Sequence, residues 1–229
     1  MPTGALRSRP AWGALAVNLF VGAALIAALV DIPVFARVTV SPDSQLDAAL
    51  VLVRLLVAIP VGAVIGGYLS RHLPVAVLAA VGMVLAAAAF VLMTRWGATS
   101  LEHAGPTAAL VMCGFGFGLS IAPTTAALLA ATDDAVHGLA SALLVVARMV
   151  GMLVGISALT TIGLRRFYAV SEGLPSLRET CHSDTVCDAY VAILKQAGIA
   201  QMHAVFWGAA VCAGLAAALS LALLRSRPR

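Results

Sequence analysis

The chain has 229 residues, 62% of them hydrophobic and only 10% charged, with a net charge of +4 and a mean hydropathy of +1.02. Soluble domains carry about 45–50% apolar and about 25% charged residues, so the composition excludes most soluble enzymes, secreted disulfide scaffolds and disordered chains. Nucleic acid is not an expected partner, because the arginines are scattered in ones, twos and threes with no aromatic interleaving or zinc-finger spacing.

Six stretches in chain order are almost free of charge: Trp12–Ala36, Ala48–Leu69, Leu73–Thr94, Gly105–Thr132, Ala135–Leu164 and Ala204–Leu224. Each reaches the roughly 20 residues a spanning helix needs. The predicted fold class is therefore all-α, a polytopic membrane protein with six transmembrane helices. Residues 1–11 read as an N-terminal tail, 12–164 as helices one to five, 165–203 as an extracytoplasmic loop, 204–224 as helix six and 225–229 as a tail. The first stretch follows Arg7 and Arg9 as in a signal peptide, but it exceeds the ~7–15 residues of an h-region and reads as a retained helix. Short connectors around Ser41–Asp43, Ser70–His72, Glu102–His103 and Asp133–Asp134 predict antiparallel neighbours. In the longest connector, Arg165–Tyr168 reads as an interfacial anchor and Asp188–Ala200 as a short amphipathic helix lying on the bilayer.

Orientation is not decided by basic residues, which fall six on each side. Cys181 and Cys187 are close enough in sequence to close a small ring. A bridge there needs an oxidising compartment and would put both termini in the cytoplasm. Two free thiols are the alternative. Cys113 and Cys212 lie inside spans and read as packing residues.

Many transporters are built from inverted three-helix units, and the two halves of this chain echo each other. Pro33 in the first helix and Arg54 in the second are matched by Pro123 in the fourth and Arg148 in the fifth. The expected architecture is two inverted three-helix repeats.

A charge at mid-bilayer costs at least ~2.5–3.5 kcal/mol on insertion scales. Asp31, Arg54 and Arg148 are the three charges inside the spans and are the candidate proton-coupling or charge network. Gly138, Ser141, Arg148, Gly151 and Gly155 share one helix face, and small residues there allow close helix approach. Asp31 and Arg54 lie at similar depth on neighbouring helices, so an ion pair is expected to be geometrically easy. Asp31 then reads either as half of a static pair or as a carboxylate that exchanges its proton. Gly114, Gly116, Gly118 and Pro123 read equally as close packing or as a gating hinge. Asn18, Thr124 and Thr125 read as interhelical hydrogen-bonding groups, with substrate contact as the alternative, and His137 as a solvated cap. No strong zinc spacing, phosphate loop, Gly-x-Ser-x-Gly or His-Glu-x-x-His is present, so no metal, cofactor or catalytic residue is expected.

The run Pro60-Val61-Gly62-Ala63-Val64-Ile65-Gly66-Gly67-Tyr68-Leu69-Ser70-Arg71 resembles the C-half copy of the major facilitator signature. Gly138-x-Ala140-Ser141-Ala142 followed by Arg148-x-x-Gly151-x-x-x-Gly155 resembles the penultimate helix of the 14-helix drug:proton antiporter branch, actinobacterial type. Val17-Asn18-Leu19 through Asp31-Ile32-Pro33 resembles the first helix of the same half. The resemblance implies a C-terminal six-helix half of a facilitator in the plasma membrane. It further implies proton-coupled efflux of small hydrophobic compounds or lipids by alternating access, with Gly62, Gly66, Gly67 and Arg71 in a cytoplasmic signature turn. The acidic residue of that turn is missing here. The implied partners are the lipid bilayer, a hydrophobic small-molecule substrate and a second six-helix half, from a separate chain or a second copy. The alternative is a non-transporting scaffold or assembly subunit, or an inactive fragment of a transporter.

Overall fold

In hydrocarbon every backbone N–H and C=O must be paired within the protein, which a helix achieves along its own length. The structure, a computed structural model, describes residues 9–39, 45–97, 104–173, 180–181 and 187–224. The helices are α1 (Arg9–Thr39), α2 (Gln45–Leu69), α3 (Val75–Met93), α4 (Ala104–Ala130), α5 (His137–Ser171) and α6 (Asp188–Leu223), with a 3₁₀ turn at Asp134–Val136 before α5. All six are long and apolar enough to cross a membrane, and no strand occurs among the described residues. Pro33, Pro60 and Pro123 sit inside helices, a placement that membrane-spanning helices tolerate. The tails, the loops around Ser41–Asp43 and Glu102–His103, and residues 182–186 lie outside the described residues.

The packing is not sequential. α1 packs chiefly on α5 and α6, α2 on α4, and α3 on α4 and α6, whereas α1 meets α2 only slightly. Exchanging the first three helices with the last three maps the α1–α5 contact onto α4–α2 and the α1–α6 contact onto α4–α3. The α3–α6 contact maps onto itself. This is the arrangement expected of two inverted three-helix repeats. One difference breaks the symmetry: α5 packs along α6, but α2 and α3 have no comparable contact.

Glycine explains which helices meet. A Cβ at Gly114 or Gly118 of α4 would collide with the backbone of Leu55 or Ile59 on α2, and one at Gly62 with that of Phe115 on α4. On the other side of α4, a Cβ at Gly116 would lie 2.5 Å from the Gly82 oxygen of α3, and the reciprocal contact is 2.6 Å. The glycines of α4 thus serve two backbone-to-backbone seams. On α1, Gly22 meets the Arg148 carbonyl of α5, while Gly151 and Gly155 meet Leu19 and Ala23.

Two helices differ in extent from the sequence reading. α5 continues through Arg165–Ser171, and α6 starts at Asp188 and runs unbroken to Leu223. The segment Asp188–Ala200 is therefore the first part of α6, not a separate surface helix. Charged residues end the apolar stretch but not the helix, since Arg, Lys and Gln are good helix formers. At 1.5 Å per residue, the 35 residues of α5 and 36 of α6 give rods of roughly 52 and 54 Å, against a hydrocarbon core of ~30 Å.

Aromatic side chains fill the end of the bundle opposite the termini. Phe206 of α6 stacks on Phe90 of α3 at 6.3 Å, meets Trp96 edge-on at 6.0 Å and approaches Phe35 of α1 at 6.5 Å. All four are buried.

Candidate functional site

The polar centre is built from three helices. Asn18 lies nine residues into α1 and Arg148 eleven residues into α5, roughly 14 and 17 Å from the starts of helices that run in the same direction. Their near-equal depth and the Gly22–Gly151–Gly155 seam bring them together. Arg148 donates through Nη2 at 2.7 Å and Nε at 3.2 Å to the single acceptor Asn18 Oδ1. Asn18 Nδ2 donates to the Ala14 carbonyl at 3.0 Å and to Thr124 Oγ1 of α4 at 3.4 Å. Thr124 Oγ1 in turn donates to the Ser120 or the Ile121 carbonyl, at 2.8 and 3.0 Å. Asn18, Ser120 and Thr124 are fully buried, and the Ser120 hydroxyl has no hydrogen-bond partner among the described residues.

Arg54 is arranged differently from expectation. Its Nη1 donates to Thr107 Oγ1 on α4 at 2.8 Å, and no ion pair joins it to Asp31 among the described residues. The reason is the glycine seam, which draws α2 against α4 and away from α1. Asp31 is half-buried and has no hydrogen bond or ion pair among the described residues.

The other candidates divide. Gly151, Gly155, Gly62 and Gly66 are buried at helix contacts. Gly138 and Gly67 have open space where a Cβ would stand, and Ser141 turns back to the Gly138 carbonyl at 3.0 Å. Arg71 is exposed, and Ser70 Oγ closes the turn on the Gly67 carbonyl at 2.7 Å. Pro123 is buried inside an uninterrupted α4. His137 approaches Asp134 at 3.5 Å, and its Nε2 lies 3.1 Å from the Thr132 carbonyl. Cys181 and Cys187 are joined as a disulfide with Cα atoms 5.9 Å apart. The Asn18–Thr124 contact agrees with the reading of both as interhelical hydrogen-bonding groups, whereas Thr125 bonds the Ile121 carbonyl of its own helix; nothing in the spacing linked Arg148 to Asn18. Thr107 went unnoticed.

α5 turns little of its surface inward. Its outer face, with Leu153, Val154, Ser157, Thr161 and Arg165, borders an open trough of about 580 Å3. The outer face of α2 is likewise apolar and exposed at Val57, Val61 and Val64.

Six apolar helices of alternating direction, held by small-residue seams and a buried polar chain, define a multi-pass membrane protein. No family model matches the chain. It is 43% identical over 175 residues to a triacylglyceride transporter of Mycolicibacterium hassiacum, covering 72% of this chain and 32% of that protein. Identity is 40% over 175 residues to the triacylglyceride transporter of Mycolicibacterium smegmatis, covering 72% and 31%. The corresponding figures are 37% over 176 residues, 72% and 34%, for the triacylglyceride transporter of Mycobacterium tuberculosis strain H37Rv. The chain spans about a third of the length of the curated relatives it matches.

Proposed function

We propose that the chain forms one six-helix half of a transporter that moves lipids of the triacylglyceride class out through the plasma membrane. The observation that carries this reading is the 43% identity over 175 residues to a triacylglyceride transporter. The inverted packing of the two three-helix units supports it, because such repeats build the six-helix halves of transporters whose alternating access is the rocking of one half against the other. A second six-helix half, in the same polypeptide, in a separate chain or as a second copy, faces the open apolar sides of α2 and α5. The substrate path runs along the trough on α5, whose apolar wall suits acyl chains.

Asp31, Arg54 and Arg148 form the charge network of this machine. Asp31 is the proton carrier, since a carboxylate with no fixed cationic partner can exchange its proton as its surroundings open to either side. Arg148, tied to Asn18 and Thr124, transmits movement of α5 to α1 and α4. The turn at Gly67–Arg71 is cytoplasmic, as are both termini.

The test is movement of a fluorescent triacylglyceride between leaflets of proteoliposomes under a proton gradient. The chain is reconstituted alone and together with any six-helix half that co-purifies with it. Gradient-dependent movement that Asp31→Asn abolishes and Arg148→Ala strongly reduces is the expected result. Transport unchanged in both variants would remove the coupling role. Binding without movement under either condition would point instead to a non-transporting assembly subunit.

A further inference from the structure

Between α5 and α6, on the side opposite the termini, a groove of about 520 Å3 opens to the surroundings. This falls within the roughly 300–1,000 Å3 of small-molecule sites. Ala204 and Gly208, one turn apart on α6, line its floor, Gly208 being closed on one side by the Leu159 side chain of α5. Ile162 and Arg166, one turn apart on α5, form one wall, and His203 and Trp207 of α6 form the other. The polarity is graded along the groove. Arg166 stands two residues beyond the apolar stretch of α5, and His203 immediately precedes that of α6. Gly208 lies about one turn deeper. The cationic end therefore lies at the edge of the hydrocarbon, where lipid headgroups reside, and the apolar end lies within it.

The charged groups at this end are arranged for a ligand. Arg166 is exposed and has no hydrogen bond or ion pair among the described residues. The His203 ring is held in place by Nε2, which donates to the Trp96 carbonyl at 2.7 Å, leaving Nδ1 available. Trp207 is 54% exposed, at the depth where indoles border headgroups. We propose that this groove binds an anionic phospholipid, its phosphate at Arg166 and an acyl chain laid over Ala204 and Gly208 beside Ile162. The charge complementarity selects the headgroup, and the small-residue floor admits the chain. The groove shares Ile162 with the trough on α5, yet binding here requires only that the chain sit in a bilayer.

The test uses the whole chain in nanodiscs of phosphatidylcholine doped with acyl-brominated lipid, reading quenching of Trp207 against a Trp207→Phe blank. Brominated phosphatidylglycerol is expected to quench about fivefold more effectively than brominated phosphatidylcholine at the same low fraction, the ratio one arginine near an anionic headgroup supplies. Arg166→Gln removes that preference, and Ala204→Leu, which fills the floor without touching the charge, lowers quenching by both lipids. Excess inorganic phosphate leaves the quenching unchanged. Equal quenching by the two lipids in the wild type overturns the proposal. So does a preference that survives Arg166→Gln, or displacement by inorganic phosphate, which would make the site one for a free anion.

Discussion

Arg148 and Arg54 stand at matching positions in the two three-helix units, and each donates to a side chain on the first helix of the opposite unit. Arg148 of α5 reaches Asn18 of α1, and Arg54 of α2 reaches Thr107 of α4. Asn18 lies 15 residues before Pro33, and Thr107 lies 16 residues before Pro123. The two contacts are thus counterparts under the inverted repeat, Arg148–Asn18 deep within the bundle and Arg54–Thr107 at the first turn of α4. They differ in setting, because Asn18 is fully buried while Arg54 is exposed.

That difference predicts unequal coupling. Interhelical hydrogen bonds in membranes average about 0.6 kcal/mol and reach about 1.7 kcal/mol. A double-mutant cycle of Arg148→Gln with Asn18→Ala is expected near the upper figure, and one of Arg54→Gln with Thr107→Ala near the lower. Unfolding in mixed detergent micelles measures both. Equal values would mean that burial does not distinguish the two contacts.

The glycine seams predict an opposite pair of outcomes. Gly151→Val forces a side chain into the Leu19 backbone of α1 and should destabilise by about 1–3 kcal/mol, the usual effect of overpacking. Gly67→Ala meets open space and should be neutral or stabilising by up to about 1 kcal/mol. Thermal unfolding followed by tryptophan fluorescence separates the two.

The number of spans was legible because charge is expensive in hydrocarbon, so 21 of 24 charged residues mark connectors and helix ends. The length of α5 and α6 was not, because Arg165–Ser171 and Asp188–Ala200 are polar yet helix-forming, and the end of an apolar stretch is not the end of a helix. Helix partners were illegible for another reason. Glycines four apart reveal a close-approach face but not which helix fills it, so Arg54 was matched by depth to Asp31 on α1 when its helix lies against α4. Asn18 and Arg148 are 130 residues apart, and only the folded bundle makes them neighbours.

The aromatic end predicts a large single-site effect. Phe206 is fully buried against Phe90, Trp96 and Phe35, so Phe206→Ala should cost about 3–5 kcal/mol. Val211→Ala, on the exposed side of the same helix, should change stability by less than about 1 kcal/mol in a membrane, where lipid replaces the lost contact. Both are read from the midpoint of thermal unfolding in detergent.

The disulfide makes a prediction about sidedness. Closing a ring with a sequence separation of 6 contributes about 2 kcal/mol in the chain-entropy picture, and it persists only on an oxidising face. A membrane-impermeant thiol reagent added to intact cells should label Cys181 and Cys187 only after treatment with an impermeant reductant. Cys113, buried in the bundle, should stay unlabelled throughout. Labelling of Cys181 without reduction would show free thiols in place of the bridge, and labelling only in inverted vesicles would reverse the assignment of faces.

The exchanged packing of the helices has a consequence for the order of synthesis. Among these six helices α1 is made before the others, but its main partners α5 and α6 are made after the other four, and α2 waits for α4. Arg54 therefore enters the lipid before Thr107 exists to receive its hydrogen bond. Arg148, by contrast, arrives with Asn18 already in the membrane. Insertion must be complete, or nearly so, before the first helix can settle, and a nascent chain halted after α4 would hold α2–α4–α3 as a packed slab with α1 still unmoored.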